Sequence, residues 1–80
     1  MRIDKYLKNS RLIKRRTIAK EACDQGRVLL NGRPAKAGSE VQVGDEVKIV
    51  FGSKEIVVRV TDVKESVRKD DAQTMYEVLH

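Results

Sequence analysis

Lys14, Arg15 and Arg16 stand side by side, Lys20 follows one helical turn later, and Arg2, Lys5, Lys8 and Arg11 precede them. Groups of this kind bind rather than transform. Arginine offers a planar fork of N–H donors that matches paired phosphate oxygens, and lysine adds a compact point charge. The charge distribution points the same way. Residues 1–36 hold eleven Lys or Arg against three acids, a balance of +8, whereas residues 37–80 hold six against nine, a balance of −3. An overall charge of +5 concentrated in this manner suits a polyanionic partner better than general solubility does.

Catalytic groups are scarce. The single histidine is His80, the last residue, a poor place to fix a general base. Cys23 falls within an apolar stripe and reads as a packed thiol. As the only cysteine, it excludes an internal disulfide and a cysteine-built zinc site. Asp70 and Asp71 lie on an expected helix start, where the dipole accounts for them. No glycine-rich phosphate loop follows a strand. The reading is therefore a binding protein, with no enzyme activity, catalytic residue, cofactor or metal expected.

The elements that must position the basic residues are short. Ile3, Tyr6 and Leu7 recur at i, i+3 and i+4, which predicts a two-turn helix over about 3–9. Leu12 and Ile13 read as a buried connection. A second helix is expected over about 16–25, with Ile18, Ala19, Ala22 and Cys23 as its apolar stripe and Gly26 as its stop. Its N-cap falls near Arg15, where Ser, Thr or Asp would serve a free amide better and where a cation opposes the dipole. An anion between Arg15, Arg16 and the exposed amides would reconcile these features. Arg16 and Lys20 share a face that points away from the stripe, so Arg16 is expected to have no core role.

After Gly26 the period changes to that of strands. Val28 to Leu30 leads into Asn31-Gly32, a strong hairpin signal, and Pro34 confines the return to an edge. A turn at Gly44-Asp45 precedes a strand in which Val47, Ile49 and Phe51 alternate with Lys48 and Val50. Gly52-Ser53 turns into another, with Ile56, Val58 and Val60 on one face. In the tail, Ala72, Met75, Tyr76 and Leu79 fit a helical stripe, although "MYEVL" would also serve as a strand; of the two, a short C-terminal helix is expected from about Lys69. The fold class is α+β: two short helices on a small, mostly antiparallel sheet. Eighty residues make one domain, 1–80, with a core motif over about 1–60 and an extension over about 61–80. No run reaches the ~20 apolar residues that span a membrane, and "MRIDKYLK" lacks the apolar core of a signal peptide, so a cytoplasmic protein is expected.

Only Tyr6, Phe51 and Tyr76 are aromatic, and none forms an evident exposed stacking pair. Phosphate and shape recognition of structured RNA therefore fits better than single-strand reading. A helix of about ten residues is also short for sequence-specific DNA reading.

The set "RIDKYL", "SRLIKRRTIAKEACDQGRVLLNG" and "VGDEVKI" resembles the small RNA-binding domain named after ribosomal small-subunit protein four, also called the alpha-L motif. In that family two helices and the adjoining strand turn bind folded rRNA or tRNA. Ser or Thr usually stands where this chain has Arg15, a departure at the helix cap. Among free-standing members, "DKYLKNSRLIKRRTIAKE" and "AQTMYEVL" are similar to the RqcP-type factors. The heat-shock protein fifteen type, with tryptophans in its first helix and a long basic tail, is the alternative. The RqcP resemblance implies binding to obstructed large ribosomal subunits, with contacts to rRNA and peptidyl-site tRNA. It also implies RqcH as partner, in alanine tailing of stalled chains without mRNA. By motif position it places RNA contact on Arg2, Lys5, Arg11, Lys14, Arg15, Arg16 and Lys20, with Asn31 and Lys36 as further candidates. A monomer is expected. A small adaptor gripping an acidic protein is the rival from another class.

Overall fold

The apolar periodicity of the N-terminal residues is realised as helix α1, Ile3–Asn9, which buries Ile3, Tyr6 and Leu7. The computed structural model describes residues 1–63 and 74–79. Helix α2 spans Arg16–Asp24 and packs against α1. Five strands follow: β1 Val28–Leu30, β2 Arg33–Pro34, β3 Glu46–Phe51, β4 Lys54–Val60 and β5 Tyr76–Val78. They form one sheet in the order β2-β1-β3-β4-β5, antiparallel throughout. Pro34 lies on the outermost strand, where its missing N–H costs no ladder bond.

The register explains the core. Val28 faces Ile49, Leu30 faces Val47, Val47 faces Val58 and Ile49 faces Ile56. One alternating set of aliphatic side chains therefore covers a single face, and Ile3, Tyr6, Leu7, Ala19 and Cys23 of the helices join it in one cluster. Asn31 and Gly32 both have positive φ, 52° and 83°, as the right-handed twist of a two-residue hairpin requires.

Two sequence expectations change here. Val47 and Ile49 are buried as their alternation implies, but Phe51, at the strand end, is half exposed. The expected C-terminal helix is contradicted where it can be seen. Residues 76–78 are strand β5, while the start near Lys69, Asp70, Asp71 and Ala72 lies outside the described residues. The reason is tertiary. The Met75 carbonyl accepts hydrogen bonds from Tyr6 Oη at 2.8 Å and from the Thr61 amide at 3.0 Å, and the Leu79 amide donates to the Val57 carbonyl at 2.8 Å. Those partners hold the segment extended against β4 and override its helical spacing. Burial pushes the Tyr6 phenol well above its ordinary value, with Tyr76 adding to the shift, so its hydroxyl stays a donor.

Candidate nucleic-acid interface

Asp4 is the only acid among the first twenty residues, and its side chain is 3 % exposed. Its Oδ2 lies 3.3 Å from Arg2 Nη2 and 3.3 Å from Arg16 Nε, and its Oδ1 accepts the Lys5 amide at 2.8 Å. A carboxylate taken out of water requires such partners, because an uncompensated buried charge is costly. The two arginines are differently placed. Their side chains are 51 % and 47 % exposed, and each spends a single donor on Asp4 out of five. Both arginines line a hollow of about 290 Å³ together with Asp4, Thr17 and Lys20. Arg16 thus has one end in the fold, contrary to the expectation that it would have none. The α2 face that carries it leans onto the α1 carboxylate.

Local structure brings these residues together. The first amides of α1 are satisfied by the segment that crosses its start: Ile3 N donates to the Ser39 carbonyl at 2.7 Å and Asp4 N to the Ala37 carbonyl at 3.3 Å. Lys36 sits exposed in that same segment, and Gly38 lies beside the Arg2 guanidinium. The N-cap of α2 is Arg15, extended at φ −128° and ψ 139°, with no side-chain cap bond. The α2 amide that first pairs within the helix is that of Ala19, to the Arg15 carbonyl at 3.1 Å.

A second hollow, of about 400 Å³, is lined by Lys8, Asn9, Arg11 and Lys14. It forms around the α1–α2 turn, where the Ile13 amide reaches back to the Leu7 carbonyl at 3.1 Å and Ser10 Oγ donates to the same oxygen at 3.2 Å. Arg11 takes φ 63° there, a left-handed conformation costing a non-glycine residue about 1 kcal/mol or more. Lys8, Arg11, Lys14 and Arg15 make no salt bridge among the described residues.

Most of the basic residues read from sequence therefore fall into two groups, with Lys5 and Arg15 in neither. Arg2, Arg16 and Lys20 share one hollow, with Lys36 on the adjoining segment; Arg11 and Lys14 share the other with Lys8. Lys5 is half-buried on α1, and Arg15 lines a third, apolar groove. Asn31 does something else. Its Oδ1 accepts the Glu46 amide at 2.9 Å and its Nδ2 donates to Asp45 Oδ1 at 3.2 Å, so its amide ties the hairpin turn to the start of β3. Sequence reading missed Asp4 as the anchor, although one acid amid so many bases was the visible signal. It also put Ile18 in the apolar stripe, yet Ile18 is 50 % exposed. The face that α2 buries is narrow, carried by the small side chains of Ala19 and Cys23, and Ile18 projects beside it.

Cys23 is buried as expected. Desolvation, with the nearby Asp4 and Asp24 charges, pushes its thiol up to about 11. Among the described residues no helix is long and apolar enough to cross a membrane, and no cluster of His, Cys, Asp and Glu could hold a metal ion.

Comparison with known proteins follows the same lines. Residues 1–47 match the S4 domain family. The chain is 62 % identical over 78 residues to the RQC P-site tRNA stabilizing factor of Halalkalibacterium halodurans, covering 98 % of this chain and 89 % of that one. It is 53 % identical over 79 residues to the factor of the same name from Bacillus subtilis, covering 99 % and 92 %. The trimeric structure of Vibrio cholerae heat shock protein 15 superposes with a TM-score of 0.91 at 28 % identity, over 99 % of this chain and 81 % of that one. By its S4 domain, its basic two-helix face and these full-length likenesses, the chain belongs to the S4 domain family and, within it, to the RQC P-site tRNA stabilizing factors.

Proposed function

We propose that this chain is an RNA clamp of ribosome-associated quality control. It binds obstructed large subunits through rRNA and peptidyl-site tRNA and steadies that tRNA. Its partner RqcH then delivers alanyl-tRNA, and the stalled chain receives an alanine tail that marks it for degradation. Peptide-bond formation remains the ribosome's chemistry, and the clamp supplies position alone. The names of its relatives support the pathway. The observation that carries the mechanism is the buried Asp4 holding Arg2, the residue before α1, and Arg16, the first residue of α2, over one hollow. Two guanidinium groups held in place can grip phosphates while losing little side-chain entropy.

Phosphate contact of this kind depends on salt. With about six phosphates neutralised by the residues between Arg2 and Lys20, log affinity for structured RNA falls against log salt with a slope of about −4 to −5. The test is reconstitution of tailing on obstructed large subunits with RqcH, with and without this chain. Tailing that depends on the chain, together with co-sedimentation abolished by nuclease, supports the reading. Binding that survives RNA digestion would identify an adaptor for an acidic protein instead. The likeness to heat shock protein 15 favours a second reading, the recycling of large subunits that carry peptidyl-tRNA. That reading predicts release of the subunit with no requirement for the chain in tailing.

A further inference from the structure

The third groove is unlike the other two. Leu12, Ile13, Lys14, Arg15, Ile18 and Phe51 line about 450 Å³, and no acid is among them. Ile13 and the half-buried Leu12 belong to the core and its margin. Phe51 and Ile18, 49 % and 50 % exposed, are large apolar side chains left in solvent in a small domain whose other aromatics pack into or against the core. Cations sit at the rim: Lys14 and Arg15 line the groove, and Lys54 is the cross-strand partner of Phe51 at the β3–β4 turn. Lys14 also lines the hollow formed by Lys8, Asn9 and Arg11, so it stands as a shared wall between a polar basin and an apolar one.

We infer that this groove receives a single unstacked nucleobase of the bound RNA. The adjoining phosphates lie on Lys14 and Arg15, and the base rests against the Phe51 ring and Ile18. The inference rests on the RNA-clamp reading and deepens it. An apolar slot with a cationic rim and no acid suits an anion that carries a flat ring, and the shared Lys14 wall gives the backbone a way in from the basic hollow. An aromatic face accepts any base, so the contact selects for an unpaired or bulged position rather than for sequence.

Two RNA hairpins test it, one with a single bulged adenosine and one identical but fully paired. Wild-type protein should prefer the bulged hairpin. Phe51→Ala should weaken that complex about fivefold or more, the lower end for loss of a base–aromatic stack, and leave the paired hairpin unchanged. Phe51→Leu keeps an apolar side chain without the ring and should lose most of the same preference, with melting temperature as the check on folding. The chain has no tryptophan, so Phe51→Trp introduces one emitter, which the bulged hairpin should quench and the paired one should not. Salt-dependent binding that is equal for both hairpins in every variant overturns the inference and leaves the clamp standing. No salt-dependent binding to either hairpin removes both. Self-association lost in Phe51→Ala, or loss of RqcH association with RNA affinity intact, would assign the groove to a protein and overturn the inference.

Discussion

The two basic hollows carry the same sign of charge but are built differently. Around Arg2 and Arg16 a buried carboxylate anchors each guanidinium, and the cations are part of the fold. Around Lys8, Arg11 and Lys14 no salt bridge holds the side chains among the described residues, and the backbone is strained at Arg11. The first arrangement fixes geometry at the expense of coupling binding residues to stability. The second leaves charge adjustable and nearly independent of the core. The proposed RNA clamp would use both, one part to set register on the RNA and one to follow its backbone.

The largest effect should come from the anchored hollow. Replacing Arg2 and Arg16 together by Ala leaves Asp4 buried with no cationic partner, and stability should drop by about 3 kcal/mol in chemical denaturation. Adding Asp4→Ala should restore much of that stability without restoring RNA or large-subunit binding. If the triple variant were no more stable than the double, the anchor would not be what couples these arginines to the fold. Next comes Arg16→Lys. An ammonium can sit near Asp4 but lacks the fork, so binding and tailing should fall about fivefold or more with little change in melting temperature.

The unanchored hollow should respond differently. Arg11→Gly relieves the left-handed strain, so stability should hold or rise by less than about 1 kcal/mol while binding weakens. Lys14→Ala should reduce the salt slope by about one with melting temperature unchanged, as read by RNA titration at several salt concentrations. Matching stability losses in the two hollows would erase the distinction between them.

The smallest effect on binding is expected at Cys23. Cys23→Ala should cost about 1–2 kcal/mol and leave RNA affinity as it was. Burial raises the folded thiol to about 11, so it stays protonated at pH 8 and should alkylate far more slowly than in the unfolded chain. Because the unfolded thiol ionises near 9, stability should fall as pH rises from about 9 towards 11 on this residue's account, and the Cys23→Ala protein should lack that component.

How much of this was legible depended on where each residue's partners lie in the chain. Helix α1, the Asn31-Gly32 hairpin and the β3–β4 pair are specified by neighbours a few residues away, and periodicity located them. Strand β5 is not. Its helical spacing is overruled by Tyr6 and Thr61, 69 and 14 positions from Met75, which no local window contains. The candidate site divides in the same way. The basic residues were visible as composition, but their division into two hollows was not, because Asp4 joins residues twelve positions apart across a helix–helix contact. The exposure of Ile18 and Phe51 followed from how narrow a face α2 buries and where β3 ends.

One substitution separates position from charge. Asp4→Asn removes a negative charge from a positive surface while keeping the size of the side chain and an acceptor for the Lys5 amide. RNA affinity should be measured at fixed salt for this variant and for wild type, with melting temperature confirming a folded chain. If Asp4 holds Arg2 and Arg16 in register, affinity should fall by about threefold or more despite the gain in net positive charge. Tighter binding by Asp4→Asn would show that bulk charge governs recognition, and would contradict an anchored clamp.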